Sequence, residues 1–233
     1  GLLTCSDAIG EDATAVFNML SGYSEPKKWN KLAVAPIWLK DKFLMLINRE
    51  AENARQGKKG RIVAKMNSLC DPVIMHALYD ASAAGVKIDL IVRGICCIKA
   101  GVPGLSENIK VRSIVGNYLE HSRIFYFYND GFEDIYMGSA DWMPRNLDKR
   151  VEITFPVEDP KLKSQIKDIL KIQLADTLKA HIMQPDGSYA KQDLRGKEKL
   201  DSQMYFVKKA SEGHEPVKSA ENSRVFIPVE SSE

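Results

Sequence analysis

The sequence has few of the residues that build disulfide-linked, zinc-binding or membrane-spanning proteins. Its 233 residues include four cysteines, Cys5, Cys70, Cys96 and Cys97, whose spacing fits neither a zinc ribbon nor a CxxC redox motif. We therefore expect free thiols in a reducing cytoplasm. No apolar run has the length of a transmembrane helix. The net charge of +2 gives no global attraction to nucleic acid or membranes, although it is compatible with a local basic cluster.

A signal peptide and an initiating methionine are also missing. The chain begins "GLLTC", which predicts that it was taken from within a longer protein. What is present is typical of a globular fold, with 44% hydrophobic and 27% charged residues. A chain of this length buries a core large enough for one large domain or two small ones.

The first part of the chain predicts two helices with a short strand between them. Ser6 or Asp7 caps the first helix, and Gly22 ends it. "KLAVAPIW" predicts a short strand that ends at Pro36. "LKDKFLMLINREAENARQG" has the apolar spacing of an amphipathic helix, which Gly57 ends.

A strand–helix–strand unit follows between residues 60 and 95. "GRIVAKMN" and "VKIDLIVRG" predict the strands. The helix between them begins with Asp71 at the N-cap and Pro72 at the first position, where proline's missing N–H costs nothing. Short connections of this kind predict a parallel pair of strands.

The second half predicts further strands and a long helix. "SRIFYFYN" and "EDIYMGSA" are strands around a turn at residues 129–131, and "RVEITFPV" is another. "DPKLKSQIKDILKIQLADTLKAHI" predicts a helix capped by Asp159 that continues to His181. Residues 184–203 look like loop, and residues 211–233 look like a mobile extension. The predicted fold is therefore α/β, with helices on a mixed sheet.

Four histidines are available for chemistry near neutral pH. His76 lies within a helix, His181 lies at the end of the long helix, and His214 lies in the polar tail. Their surroundings predict structural or surface roles. Only His121, in "NYLEHSRIFYF", lies beside a buried strand together with other charged groups.

The groups that accompany His121 are of the types that bind phosphate. Ligands favour the carboxyl ends of parallel strands, which draws attention to Lys65, Asn67 and Arg93. Further polar residues follow His121 along the chain: Arg123, Gly138, Ser139, Asp141, Arg145, Arg150 and Glu152. Histidine transfers protons or phosphoryl groups, arginine binds phosphate oxygens in a fork, and a Gly-Ser pair allows a close approach to an anion.

Structural interpretations of the same residues stay open. Arg145, Asp148, Arg150 and Glu152 are also compatible with surface ion pairs that contribute little. His121 is likewise compatible with a buried, hydrogen-bonded structural role. The individual elements are weak motifs, so spacing alone does not decide between these readings.

Taken in order, the set resembles the second half-site of the phospholipase D superfamily. That pattern is H-x-K, an Asp four residues further on, then G-S-x-N, with later R, N and E. The residues in register here are His121, Gly138, Ser139, Arg145 and Glu152. The departures are Arg123 for the lysine, Tyr128 for the aspartate, Asp141 for the G-S-x-N asparagine and Arg150 for the later asparagine. These departures argue against an ordinary phosphodiesterase.

The departures match a specialised branch with this fold, the polyphosphate kinase family. "LLTCSDAIGEDATAVFN", "KMNSLCDPVIMHALYDASAAGV", "IDLIVRG", "YLEHSRIFYF" and "GSADWMPRNLDKRVEI" all resemble its C-terminal catalytic domain. The resemblance covers residues 1–183 and implies a phospholipase D-like mixed sheet flanked by helices, one half of a pseudo-two-fold pair. Residues 184–233 are expected to be a polar, partly mobile extension.

Members of the family reversibly transfer the γ-phosphate of ATP to the end of inorganic polyphosphate, with Mg²⁺ and through a phosphohistidine. The resemblance places the phosphohistidine, and by extension the Mg²⁺ ligands, upstream of Gly1, in the other half of the same polypeptide. It implies that Arg93 and His121 contact ATP, with His121 in a catalytic role. Contacts to phosphate or polyphosphate are expected, less directly, from Lys65, Asn67, Arg123, Ser139, Asp141, Arg145 and Arg150.

The resemblance also implies partners and a location. It predicts binding of ATP, ADP and polyphosphate, no binding of nucleic acid, and self-association. The parent enzyme is expected in the cytoplasm, with membrane association as an option. Two alternatives stay open for this chain: a nucleotide- or polyphosphate-binding module without turnover, and a phospholipase D-like phosphodiesterase suggested by fold alone.

Overall fold

A computed structural model describes residues 1–24, 26–192, 194–196 and 198–212. The described residues contain nine strands and six α-helices. The strands are β1 Ala33–Ala35, β2 Arg61–Met66, β3 Lys87–Val92, β4 Ile109–Ile114, β5 Arg123–Phe127, β6 Asp134–Gly138, β7 Glu152–Pro156, β8 Ala180–Met183 and β9 Tyr189–Lys191. The helices are α1 Asp7–Leu20, α2 Leu39–Arg55, α3 Pro72–Ala83, α4 Pro144–Asp148, α5 Pro160–Leu174 and α6 Ser202–Glu212.

All nine strands form one mixed sheet in the order β1-β7-β6-β5-β2-β3-β4-β8-β9. The central strands β2, β3 and β4 are parallel. The other neighbours are antiparallel, including β5 on β2 and β6 on β5. The α/β fold with helices on a mixed sheet is therefore confirmed.

The strand–helix–strand unit forms as its sequence predicts. The Asp71 side chain accepts a hydrogen bond from the Ile74 N–H at 3.0 Å, and Pro72 is the first helical residue. Gly85 ends the connection with a φ of 97°, a left-handed conformation that glycine adopts without strain. β2 and β3 then pair in parallel from Arg61 with Lys87 to Met66 with Val92.

The two N-terminal helices end at the predicted glycines. Gly22 and Gly57 both have positive φ values, 74° and 76°. Ser6 occupies the N-cap of α1, but its side chain makes no capping hydrogen bond. The predicted strand before Pro36 is present as β1, which is three residues long and pairs with β7.

Helices cover both faces of the sheet because successive side chains of a strand point in opposite directions. In β5, Phe125 packs with α2 and α3, where its ring lies 4.6 Å from that of Phe43 and 5.3 Å from that of Trp142. The neighbouring Ile124 packs on the other face, in the cluster that contains Leu170 of α5. Replacing the fully buried Phe43 by alanine would cost about 3–5 kcal/mol.

The long C-terminal helix is shorter than predicted. α5 begins as expected, with Asp159 accepting from the N–H groups of Lys161 and Leu162, but it ends at Leu174. The carboxylate of the buried Asp176 accepts from the Lys179 and Ala180 N–H groups, which turns the chain away from the helix. His181 therefore lies in β8, paired with β4, and its predicted place at a helix end is wrong.

Other elements were not predicted. β4 has no predicted counterpart, although its first four residues alternate apolar and polar, and α4 is only five residues long. The predicted loop at residues 184–203 contains β9 and the beginning of α6. Residues 213–233 lie outside the described residues, and the division of the chain at residue 183 stays a prediction.

The four cysteines are free thiols, as expected. Burial raises the pKa of Cys96 to about 11, so this thiol stays protonated and unreactive at neutral pH. Among the described residues, none of the helices is long and apolar enough to cross a membrane.

Candidate active site

The ends of five strands meet at one edge of the sheet, which we call the carboxyl edge. β2 and β3 end there, at Met66 and Val92, and are followed by Asn67 and Arg93. β5 runs antiparallel to β2, so it begins at this edge with Arg123. β6 ends and β7 begins there for the same reason. The topology thus gathers candidates that are up to 87 residues apart, Lys65 and Glu152, at a single place.

Asp141 is the centre of a hydrogen-bond network at the carboxyl edge. Its carboxylate is buried and accepts from the Asn67 backbone N–H at 2.8 Å. It also accepts from Arg123, with Nε at 3.1 Å and the second guanidinium nitrogen at 3.4 Å. The Asn67 side-chain oxygen is buried without a described hydrogen-bond partner. Three of the predicted residues are therefore bonded together, and Asn67 keeps an unused acceptor.

Lys65 is almost completely buried beneath the segment that carries His121. Its side-chain nitrogen donates to the Ser122 hydroxyl at 2.9 Å and to the Ser122 carbonyl at 3.3 Å. It also forms an ion pair with Glu120 at 3.2 Å. Burial lowers the pKa of Lys65, Glu120 opposes this shift, and the charges of Arg93 and Arg123 reinforce it. Arg93 and Arg123 therefore both lie close enough for their charges to act on Lys65.

His121 is exposed, while its backbone is held from both sides. Its carbonyl accepts from Arg123 at 3.0 Å, and its neighbours Glu120 and Ser122 are bound by Lys65. The imidazole itself makes no hydrogen bond or ion pair with a described residue. In particular, no described carboxylate orients the ring. A fixed backbone with a free imidazole is an arrangement that leaves both ring nitrogens available to a ligand.

Ser139 is bound within the protein rather than free. Its hydroxyl donates to Glu152 and accepts from the Ile153 N–H at 3.1 Å. The second Glu152 oxygen accepts from the Asn146 side-chain amide. Glu152 is buried, so these contacts satisfy a carboxylate that would otherwise be costly to bury. Glu152 thus holds the turn after β6 in place.

The three remaining arginines differ in their surroundings. Arg93 is half-buried directly after β3, and its backbone carbonyl accepts from the Ser113 hydroxyl at 3.3 Å. Arg145, in α4, and Arg150, just before β7, are exposed and form no ion pair with a described residue. The alternative that they pair with Glu152 or Asp148 is not seen. Asp148 pairs instead with Lys40, at 2.6 Å.

Several residues that support this site were not predicted. Glu120 accepts from the side-chain amides of Gln173 and Gln203, both at 2.9 Å. Gln203 also bonds the Tyr118 backbone in both directions, accepting at 3.0 Å and donating at 2.8 Å. Glu120 adjoins His121 in sequence and was a detectable candidate. Gln203 is 83 residues away from Glu120, and no local pattern indicates the contact.

A cleft of about 710 Å³ opens beside these residues. Ser122, Arg123, Gly138 and Ser139 line it together with apolar residues that include Val16 and Met137. Its lining thus contains a guanidinium group next to backbone with little side-chain bulk, which suits an anion. The cleft has the size of a small-molecule site.

Comparison with known proteins identifies the family. The family model described as polyphosphate kinase C-terminal domain 2 matches residues 32–203. The chain belongs to the polyphosphate kinase family. Polyphosphate kinase from Synechocystis sp. is 57% identical over 189 residues, which cover 81% of this chain and 26% of that protein. The enzyme from Lactiplantibacillus plantarum is 46% identical over 98% of this chain and 32% of its own length.

A solved structure agrees with this assignment. The crystal structure of polyphosphate kinase from Porphyromonas gingivalis superposes with a TM-score of 0.84 at 40% identity. The match covers 90% of this chain and 33% of that one. The chain therefore spans about a third or less of the length of these polyphosphate kinases.

Two departures from the phospholipase D pattern explain each other in this polyphosphate kinase chain. Arg123 replaces the lysine and Asp141 replaces the asparagine, and these two side chains form an ion pair. A lysine would lack the fork that reaches both carboxylate oxygens, and an asparagine would not balance the guanidinium charge. Each substitution is physically reasonable because of the other.

The carboxylates at the carboxyl edge are engaged within the protein. Those of Glu120, Asp141 and Glu152 each accept hydrogen bonds from neighbouring donors. Among the described residues, no group of three His, Cys, Asp or Glu side chains could hold a metal ion.

Proposed function

We propose that this chain is the C-terminal part of a polyphosphate kinase that reversibly transfers the γ-phosphate of ATP to the end of an inorganic polyphosphate chain. The observation that supports this proposal best is that Lys65, with Arg93 and Arg123 close enough to act on its charge, lies at the segment that carries the exposed His121. Phosphoryl transfer depends mainly on positioning and on neutralising the charge of the transferred group. A fixed cationic edge beside a free imidazole is suited to both tasks.

Among these residues, we assign Arg93 and His121 to direct contact with ATP. Arg93 has no described ion-pair partner, so its guanidinium is available to phosphate oxygens. His121 would donate a proton to the leaving phosphate oxygen, or take one from the attacking oxygen. Lys65 and Arg123 are already bound to carboxylates, so they act through their charge and by holding the His121 segment.

Other predicted contacts receive more limited roles. The unused Asn67 side-chain oxygen would accept a hydrogen bond from a donor that reaches it. Ser139, through its bond to Glu152, and Asp141, through its bond to Arg123, shape the cleft. Arg145 and Arg150 are exposed, and they would reach polyphosphate only where it extends along the surface.

The covalent step is assigned to a histidine upstream of Gly1. In that step the P–O bond to ADP breaks as a P–N bond to the histidine forms. The polyphosphate end oxygen then attacks the same phosphorus as the P–N bond breaks, which regenerates the free histidine. Mg²⁺, if held by upstream residues, would neutralise phosphate charge. The residues of this chain would bind and orient the phosphates and exclude water from them.

Substitutions in the full-length parent enzyme test the assignment. We expect His121→Ala and Arg93→Ala each to abolish ATP-dependent polyphosphate synthesis while leaving the protein folded. Arg55→Ala is the matched control for Arg93→Ala, because Arg55 is exposed at the end of α2 that lies away from the carboxyl edge. Near-normal synthesis in either site variant would contradict the assignment.

The isolated chain provides a second test, because it spans only 26–32% of its curated relatives. Without an upstream histidine we expect it to bind ATP or polyphosphate without turnover. Incubation with γ-labelled ATP should give neither polymer nor a stable label on His121. Polymer formation would show that this part alone is competent. Self-association and a cytoplasmic location stay predictions, and light scattering and cell fractionation of the parent would test them.

A further inference from the structure

A second cleft, with a volume of about 550 Å³, lies at the opposite end of the sheet from the carboxyl edge. We call it the basic groove. It is lined by five basic residues: Lys59, Arg61, Lys87, Lys167 and Lys171. Arg61 and Lys87 are the first residues of β2 and β3 and pair in register. Six-residue strands separate the groove from the carboxyl edge by about 20 Å, so it is a separate site.

Three of the five cations in the basic groove have no acidic partner among the residues that the structure describes. Arg61 pairs with Asp89, and Lys167 pairs with Glu133 at 2.6 Å. Lys59, Lys87 and Lys171 form no ion pair with any described residue and are exposed. The whole chain has a net charge of only +2, so three unpaired charges around one cleft are a local concentration. An anion in the groove would therefore be attracted rather than merely tolerated.

One carbonyl at the negative end of a helix beside the groove is hydrogen-bonded within the protein. The backbone carbonyl of Leu174, at the negative end of α5, accepts a hydrogen bond from Arg112 and so does not face the groove unpaired. The nitrogen of Lys59 lies 4.7 Å from the ring centroid of Tyr128, which holds this cation at the rim. Lys167 and Lys171 lie one helical turn apart, so both project from the same side of α5.

The ligand that fits these features carries several negative charges in a row. A single carboxylate or phosphate would meet one or two of the ammonium groups and leave the others unused. We propose that the basic groove binds a chain of linked phosphoryl groups, either inorganic oligophosphate or the triphosphate end of a nucleotide. The lining of the groove also includes the apolar residues Val63 and Leu170, which the base of a nucleotide could contact and an inorganic oligophosphate could not. This proposal does not depend on the transfer reaction at the carboxyl edge.

Backbone amide NMR shifts of the chain distinguish the two sites and the two sources of phosphate. We expect tripolyphosphate and ATP, but not AMP, to shift the amides of Arg61 and Lys87. Lys87→Gln with Lys171→Gln should weaken this binding about tenfold. The double variant Lys27→Gln with Lys28→Gln removes the same charge elsewhere and should change it less than about twofold. Additional shifts at Leu170 with ATP alone would identify the nucleotide as the ligand.

Several results would overturn the proposal. The proposal is wrong if the amide shifts of Arg61 and Lys87 do not respond to tripolyphosphate or ATP. It is also wrong if the groove double variant and the control double variant bind tripolyphosphate with equal affinity. Binding of a single-stranded oligonucleotide as tightly as tripolyphosphate would assign the groove to nucleic acid instead. Arg93→Ala should leave the groove shifts unchanged, so failure of the active-site assignment and failure of this proposal are separable.

Discussion

Replacing Asp141 by asparagine removes one charge from a largely buried ion pair at the carboxyl edge, the pair of Asp141 with Arg123. The side chains of Arg123 and Asp141 are 13% and 9% exposed, so water compensates little for a lost partner. Asparagine offers one oxygen where the carboxylate has two. Its NH₂ group would also face donors, because both the Arg123 guanidinium and the Asn67 N–H point at this position.

The cost follows from the contacts that are lost. A charge-assisted hydrogen bond contributes about 1.5–3 kcal/mol, and breaking a buried pair on one side costs about 3–5 kcal/mol. Arg123 keeps some solvent contact and its bond to the His121 carbonyl, so we expect the lower end, about 3 kcal/mol. Adding Arg123→Lys restores the phospholipase D combination. The double variant should lose about 1–2 kcal/mol less than the sum of the single variants.

Urea unfolding followed by circular dichroism measures these differences. A loss of about 3 kcal/mol moves the midpoint by about 1–2 M when the slope is unchanged. Glu158→Gln is the matched control, because its pair with Lys31 is exposed and should be worth less than about 1 kcal/mol. If Asp141→Asn cost no more than this control, the pair would be structurally unimportant and our explanation of the two motif departures would be wrong.

Three further predictions concern the packing and charges around the sheet. Gly138→Ala should lower the free energy of unfolding in urea by about 2–3 kcal/mol, because the new Cβ would lie 2.6 Å from a backbone oxygen. Gly10→Ala, in α1 where no atom lies within 4 Å of the new Cβ, should raise it by up to about 1 kcal/mol, and equal effects of the two substitutions would refute this. Burial raises the pKa of Glu50 above 4.5, so the folded state binds this proton more tightly than the unfolded state does. The stability of the protein relative to Glu50→Gln should therefore fall as the pH rises through 4.5 and above. Unfolding measured at several pH values tests this, and a difference that does not change with pH would refute it. Lys65→Met should cost about 3 kcal/mol and speed amide exchange at Glu120, whereas unchanged exchange would show that Lys65 does not hold this segment.

Much of the fold could be predicted because local signals agreed with the tertiary structure. The unit β2–α3–β3 has a capping aspartate, a proline at the first helical position and a glycine at the end, each specifying one boundary. The predicted strand ends alone place Lys65, Asn67 and Arg93 together at the carboxyl edge of the sheet. The parallel pairing rule needed no side-chain detail.

The failures have equally specific causes. The helical apolar spacing of α5 continues past Leu174, and only the hydrogen bonds of Asp176 with the following backbone end the helix there. In β4 the apolar and polar alternation of a half-buried strand runs only from Ile109 to Arg112, which is the minimum length of that signal. Gln203 could not be predicted as part of the site, because tertiary packing alone brings it to Glu120.

The contacts of Gln203 decide where this polypeptide can be shortened without disturbing the candidate active site. α6 is only 11 residues long and begins at Ser202, well beyond the predicted boundary at residue 183. Its Gln203 nevertheless packs directly against Gly116, where a Cβ would lie 2.4 Å from the glutamine side-chain oxygen. A protein shortened at residue 183 would keep every strand of the sheet except β9, but it would lose Gln203, which binds Tyr118 and Glu120 in the loop before His121. Stable fragments of this polypeptide are therefore expected to include α6.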